Sequence, residues 1–463
     1  MKKIVQRLNR IFYPKSVAIV GATVTPNKVG NVILKNFVDG KFDGSVYPVN
    51  PKYEQILGVK CYPDIRKIDG SVDCVIIATP AKTVLPILKD CAAKKAGGVI
   101  VITSGFEEVG EEKLAEEMRE IAVKNDMPVV GPNCLGVFSP YSKTDSIFLP
   151  MYKLERPRAG GISFITQSGA VGSVVMDLVA YYGLGLSKFI SYGNATVLDE
   201  SDYLEYLGHD KDTEVIIMYV EGVKDGRKFL ETMKKVNKQK PIIVLKGGKG
   251  AGGAAAAKSH TGNIAGSYTA YEAAFKQAKA IEAEGLYELF DIVKMFSQPK
   301  AKGSRIGIIT NGGGLGIITT DCVEHEGLPM AKYSEKTKKA IQKIMPAYGN
   351  VGNPLDLVAD SGIEAYQKAI DVLMSAPEID ILVIVALLQT PPMDERIIHV
   401  LTRASDNRKK PIASISIGGT YTEAYRRILE RNGVPSYNSP SAAIKAIERF
   451  VTYSRYQEQL KEV

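Results

Sequence analysis

The sequence has few of the residues that most often carry chemistry. It holds four histidines and five cysteines, so each can be weighed alone. The cysteines, Cys61, Cys74, Cys91, Cys134 and Cys322, include no CxxC pair and are odd in number. That excludes a zinc framework or a disulfide scaffold and fits a reducing, cytoplasmic compartment. No apolar run approaches the roughly 20 residues that cross a bilayer. The N-terminal stretch, basic but broken by Gln6, Asn9 and Pro14, lacks the apolar centre of a secretory signal, so neither a leader nor a membrane partner is expected. No block of one charge stands out. The net charge is +8, without a Lys/Arg cluster interleaved with aromatics, so no nucleic acid is expected. HExxH, GxSxG and kinase signatures are missing, and no metal site is expected. The mild positive balance suits a polyanionic small molecule.

What the sequence does contain is short β-branched runs alternating with amphipathic stretches, the pattern of parallel sheets with crossover helices. SVAIVGA, VYPVN, DCVIIAT, GGVIVITS and PVVGP read as strands, with helices around 29–38, 82–95 and 111–125. This predicts an α/β fold: a Rossmann-like domain over 1–150, then two flavodoxin-like domains over 151–298 and 304–463. Both later domains open alike. Thr166-Gln167-Ser168-Gly169 with Gly172 aligns with Thr310-Asn311-Gly312-Gly313 with Gly316, which reads as a duplication. SQPKAKGS, 297–304, reads as the linker between them.

Three junctions suggest anion binding. Gly21 follows the first strand, where a glycine lets the backbone approach a phosphate. The second strand ends in Asn50-Pro51-Lys52 rather than the Asp or Glu that would take an NAD ribose, and a cation there suits a phosphorylated sugar, as in CoA or NADP. Gln167, Ser168 and Gly169 open a helix whose successive amides form an anion hole. Cys134 sits in a strand-end loop with no histidine near it in sequence, so it reads as a buried thiol rather than a nucleophile.

The most informative stretch is KGGKGAGGAAAAKSHTGN, 246–263. A strand at 241–245 is expected to run into a long Gly/Ala loop carrying His260. A histidine on such a loop can accept a phosphoryl group if a carboxylate fixes its tautomer. Glu221, at the end of a neighbouring strand, is the candidate. A solvent-exposed loop histidine is the bland alternative. GGAAAAKS nearly spells a Walker A, but Ala257 replaces its second glycine. His209, His325 and His399 stand alone and read as surface or packing residues.

In order along the chain, VGAT, PVNPKY, VIIATPA, VITSGFEE, GPNCLG, TQSGAVG, SYGN, YVEGV, KSHTG, TNGGGLG and GNPLDL give the sequence a resemblance to the alpha subunits of ADP-forming acetate–CoA ligases, nucleoside-diphosphate-forming acyl-CoA synthetases related to succinyl-CoA synthetase. The resemblance implies CoA contacts at Gly21, Ala22, Asn50, Lys52, Thr79 and Pro80, with Asn133 near the thiol. It implies a phosphohistidine at His260 oriented by Glu221, and phosphate held by Gln167, Ser168 and Gly169. The expected reaction converts acyl-CoA, phosphate and ADP to acid, CoA and ATP through acyl phosphate. No ATP-grasp domain is visible. ADP/ATP and Mg2+ are therefore expected on a separate ATP-grasp beta subunit, in an α2β2 assembly. A non-catalytic CoA-binding regulatory module and an NADP-dependent reductase are the alternatives, and neither gives KSHTG a task.

Overall fold

The computed structural model describes residues 2–261, 267–345 and 350–462, with the side chains of 2, 3 and 257–261 outside the description. The chain divides into two compact units, Met1–Glu282 and Ala283–Val463. Each is α/β with parallel sheets, as expected.

The first unit holds two large sheets and a two-stranded ribbon, Gln55–Ile56 with Val59–Lys60. In one sheet, five parallel strands run in the order Ser45–Val49, Ser16–Val20, Cys74–Ile77, Gly98–Val101, Val129–Val130. The inner strands are buried at every position, because helices cover both faces and leave no polar side to alternate with. Those helices are Val29–Asp39, Val84–Ala93 and Glu112–Lys124. A further helix, Lys2–Phe12, escapes a reading that stops at its broken charge pattern. It buries Leu8, Ile11 and Phe12, and Phe12 stacks on Tyr206 with ring centroids 5.0 Å apart.

The second sheet has seven strands in the order Ile281–Ala283, Ile242–Lys246, Val215–Val220, Ala159–Thr166, Leu186–Ser191, Gly136–Ser139, Thr144–Asp145. Its centre is parallel. Gly136–Ser139 pairs antiparallel with Leu186–Ser191. The expected boundary at residue 150 therefore falls after two strands that hydrogen-bond into the second sheet. One apolar core runs from Leu8 and Ile33 through Val137 and Ile190 to Met218.

The expected Gly/Ala loop is a correction. Residues Ala251–Thr261 form a helix. Ala254 to Ala257 have the highest helix propensity of any residue type, and the run outweighs the cost of Gly252 and Gly253.

The second unit has one parallel sheet, ordered Leu355–Asp356, Ile306–Thr310, Ile381–Val385, Ile412–Ile415, Ser436–Tyr437. Its opening repeats several local contacts of the strand–turn–helix at Thr166–Gly172. Thr166 Oγ1 donates to Ser168 O at 2.8 Å, and Thr310 Oγ1 donates to Gly312 O at 3.1 Å. A Cβ on Gly172 would stand 3.0 Å from Thr166 Cγ2, and one on Gly316 3.0 Å from Thr310 Cγ2. Asn311 Oδ1 accepts from Leu387 N at 2.8 Å and its Nδ2 donates to Leu387 O at 3.1 Å; Gln167 makes the matching pair with Gly222. Among the described residues no helix is long and apolar enough to cross a membrane.

Candidate functional site

Parallel strands deliver their C-terminal loops to one edge, where ligands bind in α/β folds. Gly21 leaves the first strand at φ 96°, in the left-handed region. Its N–H donates to Val49 O at 3.0 Å. A Cβ there would lie 2.4 Å from Ala78 O, so only glycine lets the loop lie this close to the next strand. Ala22 is fully buried, and Asn50 Nδ2 donates to its carbonyl at 2.7 Å. Asn50 Oδ1 in turn accepts from Lys52 N at 3.0 Å. Asn50 thus ties the two loops together, and the Lys52 side chain is left exposed.

Thr79 and Pro80 follow the third strand. Thr79 O accepts from Thr103 Oγ1 at 2.7 Å, and Thr103 O accepts from Asn133 N at 2.9 Å. Asn133 sits at φ 56°, a conformation Asn tolerates better than most residues. Its Nδ2 donates to Asn194 Oδ1 at 3.2 Å. Asn194 Nδ2 donates to Glu108 Oε2 at 2.5 Å. The Glu108 carboxyl is half-buried, which pushes its pKa up, but bonds from the Gly105 amide, Asn194 and Phe106 hold it below the usual range. Glu108, Gly193 and Asn194 were not singled out from the sequence. Their only signal was membership of the SGFEE and SYGN stretches.

On the second sheet Ser168 caps the helix Gly169–Tyr181, its Oγ accepting from Val171 N at 3.3 Å. A hydroxyl that accepts there still has a proton to donate to an anion at the helix start. Glu221 is 7% exposed, at the end of Val215–Val220. The Gln167 carboxamide oxygen accepts its N–H and, at 3.0 Å, that of Gly222. Lys246 Nζ donates to Glu221 O at 2.7 Å. The Tyr219 phenol bonds to the Glu221 carboxylate; burial and then that charge raise the phenol's pKa. A Cβ on Gly247 would stand 2.5 Å from Tyr219 Oη, so the carboxylate lies beside the start of the segment that carries His260. The ends of that segment meet at Glu282, where Lys249 Nζ lies 2.7 Å and Tyr268 Oη 2.9 Å from Oε1. The His260 side chain, and so its pairing with Glu221, lies outside the described residues.

A cavity of about 670 Å³ joins these parts. Thr79, Pro80 and Asn133 line it from the first sheet, and Gln167, Ser168 and Gly169 from the second. Gly21, Ala22, Asn50, Lys52 and Glu221 are not on its wall. Cys134 is on the wall, with burial raising its thiol to about 12, so it stays protonated and is no nucleophile. No cluster of metal-ligating side chains occurs among the described residues.

Three domain families match in succession: a CoA binding domain over residues 15–140, a succinyl-CoA ligase-like flavodoxin domain over 159–296 and a ligase-CoA domain over 306–452. The chain is 40% identical over 98% of its length to acetate–CoA ligase [ADP-forming] I of Archaeoglobus fulgidus, and spans 65% of that longer relative. It is 38% identical to the alpha subunit of acetate–CoA ligase [ADP-forming] II of Pyrococcus furiosus, over 97% of this chain and 98% of that one. Among solved structures, acetyl-coenzyme A synthetase 1 of Candidatus Korarchaeum cryptofilum, in complex with phosphate and ADP, superposes with a TM-score of 0.92 at 33% identity, covering 98% of each chain.

Proposed function

The chain belongs to the family of ADP-forming acetate–CoA ligases, and on that premise we propose that it is the acyl-CoA- and phosphate-handling subunit of such an enzyme, with His260 as the phosphoryl carrier. The observation that supports this reading is the shared cavity, whose wall includes both the proposed thiol-end residue Asn133 and the proposed phosphate-binding residues Ser168 and Gly169.

In the synthetic direction for ATP, the phosphate oxygen attacks the thioester carbonyl carbon. The C–S bond breaks, CoA leaves as its thiolate and acyl phosphate forms. Phosphate held at the Ser168–Gly169 amides is oriented for that attack, and donors of the same kind stabilise the oxyanion on the carbonyl. The His260 imidazole then attacks phosphorus. The P–O bond to the acyl group breaks, the acid leaves as a carboxylate, and Glu221 stabilises the cationic phosphoimidazole. Gly21, Ala22, Asn50, Lys52, Thr79 and Pro80 hold the body of CoA.

Phosphoryl transfer to ADP, with Mg2+, takes place on an ATP-grasp beta subunit in an α2β2 assembly. Support for a separate partner is the near-complete mutual coverage with the P. furiosus alpha subunit. A cytoplasmic setting agrees with five cysteines that are all free thiols.

The test is uptake of labelled inorganic phosphate in the presence of acetyl-CoA. The wild-type chain takes up acid-labile label and His260→Asn takes up none; label on the variant overturns the assignment.

A further inference from the structure

Resting on that reading, we infer that Glu108, acting through Asn194, holds the Asn133 side-chain amide with an N–H directed at the thioester carbonyl oxygen. Asn133 is then a catalytic residue, and Glu108 and Asn194 are its positioning residues.

The orientation follows from donor chemistry. Despite burial, which pushes its carboxyl up, Glu108 is held ionised by the Gly105 amide, Asn194 and the Phe106 amide. An ionised carboxylate only accepts, so the Asn194 atom 2.5 Å from Glu108 Oε2 is the amide nitrogen. Asn194 Oδ1 then faces Asn133, and the Asn133 atom 3.2 Å from it is Nδ2. One carboxylate thus fixes the direction of two amides in series. The Asn133 nitrogen carries a second N–H, and Asn133 and Asn194 both line the cavity that Ser168 and Gly169 line.

The loops that carry this relay are packed backbone to backbone. Asn194 N donates to Pro132 O at 3.1 Å. A Cβ on Gly193 would stand 2.2 Å from both Pro132 O and Asn133 O, so a side chain there would push the loops apart. Glu107, beside Glu108, accepts from Thr196 Oγ1 at 2.9 Å and from Lys224 Nζ at 3.3 Å. Lys224 Nζ also donates to Ala195 O at 3.2 Å. The segment 194–196 is therefore pinned to both strand-end loops of the first sheet, and the three amide and carboxyl groups keep a fixed spacing.

When the phosphate oxygen bonds to the carbonyl carbon, the C=O electron pair moves onto oxygen. A donor already in place stabilises that oxyanion without reorganising. The pair returns as the C–S bond breaks, and sulfur leaves with its electrons. Glu108→Gln keeps size and loop contacts but can present its own NH2 to Asn194. Both amides can then turn over, which puts the Asn133 oxygen where its N–H stood.

The test measures phosphate-dependent release of CoA thiol from acetyl-CoA by the full-length chain, with hydroxylamine trapping acetyl phosphate. This step precedes His260. Asn133→Gly, which adopts the native φ freely, lowers the rate about 10²-fold. Glu108→Gln lowers it about tenfold, with the half-saturating acetyl-CoA concentration unchanged within about twofold. In the Asn133→Gly background, Glu108→Gln costs less than about twofold, because the group it positions is gone. A Glu108 that only supports the fold would lower the rate by the same factor in both backgrounds. That result overturns the inference, as does an undiminished rate in Glu108→Gln. Thiol release without label on the protein overturns the phosphohistidine reading alone, and no release from the wild type overturns both.

Discussion

Gln167 holds Glu221 by its backbone. Its carboxamide oxygen accepts the N–H groups of Glu221 and Gly222, and its amide nitrogen, Nε2, donates to Gly222 O at 2.9 Å. A side chain from the proposed anion-binding turn thereby sets where the proposed histidine partner stands.

Gln167→Met removes all three bonds with little change of volume. Misplacing a reacting group by about 1 Å can cost 10²-fold in rate. Phosphoenzyme formation should fall by about that factor, while CoA affinity stays within about twofold. Label uptake and titration calorimetry separate the two; a loss of CoA affinity equal to the loss of rate would remove Gln167 from its positioning role.

Gly30 opens the helix Val29–Asp39, and a Cβ there would stand 2.1 Å from Gly21 O. The atom it would meet is backbone, not the end of a flexible side chain, so Gly30→Ala must displace the loop proposed to hold CoA phosphates. Overpacking of this kind costs about 1–3 kcal/mol. CoA affinity should fall more than tenfold and the unfolding midpoint should drop; unchanged CoA binding would detach this loop from the ligand.

Glu200 carries a pH dependence. It is 1% exposed, and burial raises its carboxyl from the ordinary 4.5 to about 7. The folded state therefore binds a proton more tightly than the unfolded chain. Its contribution is fully present below pH 4.5 and is lost as pH rises through 7. The gap is worth roughly 3 kcal/mol. Denaturant unfolding of wild type against Glu200→Gln should show wild-type stability falling, relative to the variant, from pH 4.5 to pH 8. A constant difference would mean the carboxyl titrates normally.

Arg156→Met leaves Asp145 buried without its partner. Breaking one side of a buried pair costs about 3–5 kcal/mol. The deficit should shrink as pH falls, because burial already pushes the Asp145 carboxyl up and the variant stabilises its protonated form. Thermal melts at pH 7 and pH 5 check the sign; a deficit that grows on acidification would contradict it.

The parallel sheets were legible because strands buried on both faces read as unbroken runs such as CVII and GVIV. The repeat was legible because Thr166 and Thr310 each make the same local bond. The helix Ala251–Thr261 was not, since glycines at 247, 248, 250, 252 and 253 hid an alanine run. Asn194 and Glu108 lie 86 residues apart. Nothing local marks either of them, and only folding brings the amide to the carboxylate. The antiparallel pair Gly136–Ser139 and Thr144–Asp145 is too short to show an alternating pattern.

That short pair governs how the protein can be dissected. A cut at residue 150 would strip Leu186–Ser191 of its antiparallel neighbour, exposing a row of unpaired amides that invites aggregation. The amino-terminal piece would keep an orphan ribbon with nothing to pair against. Fragments for separate expression should instead end before Gly136 and begin there, so that the ribbon travels with the sheet it completes.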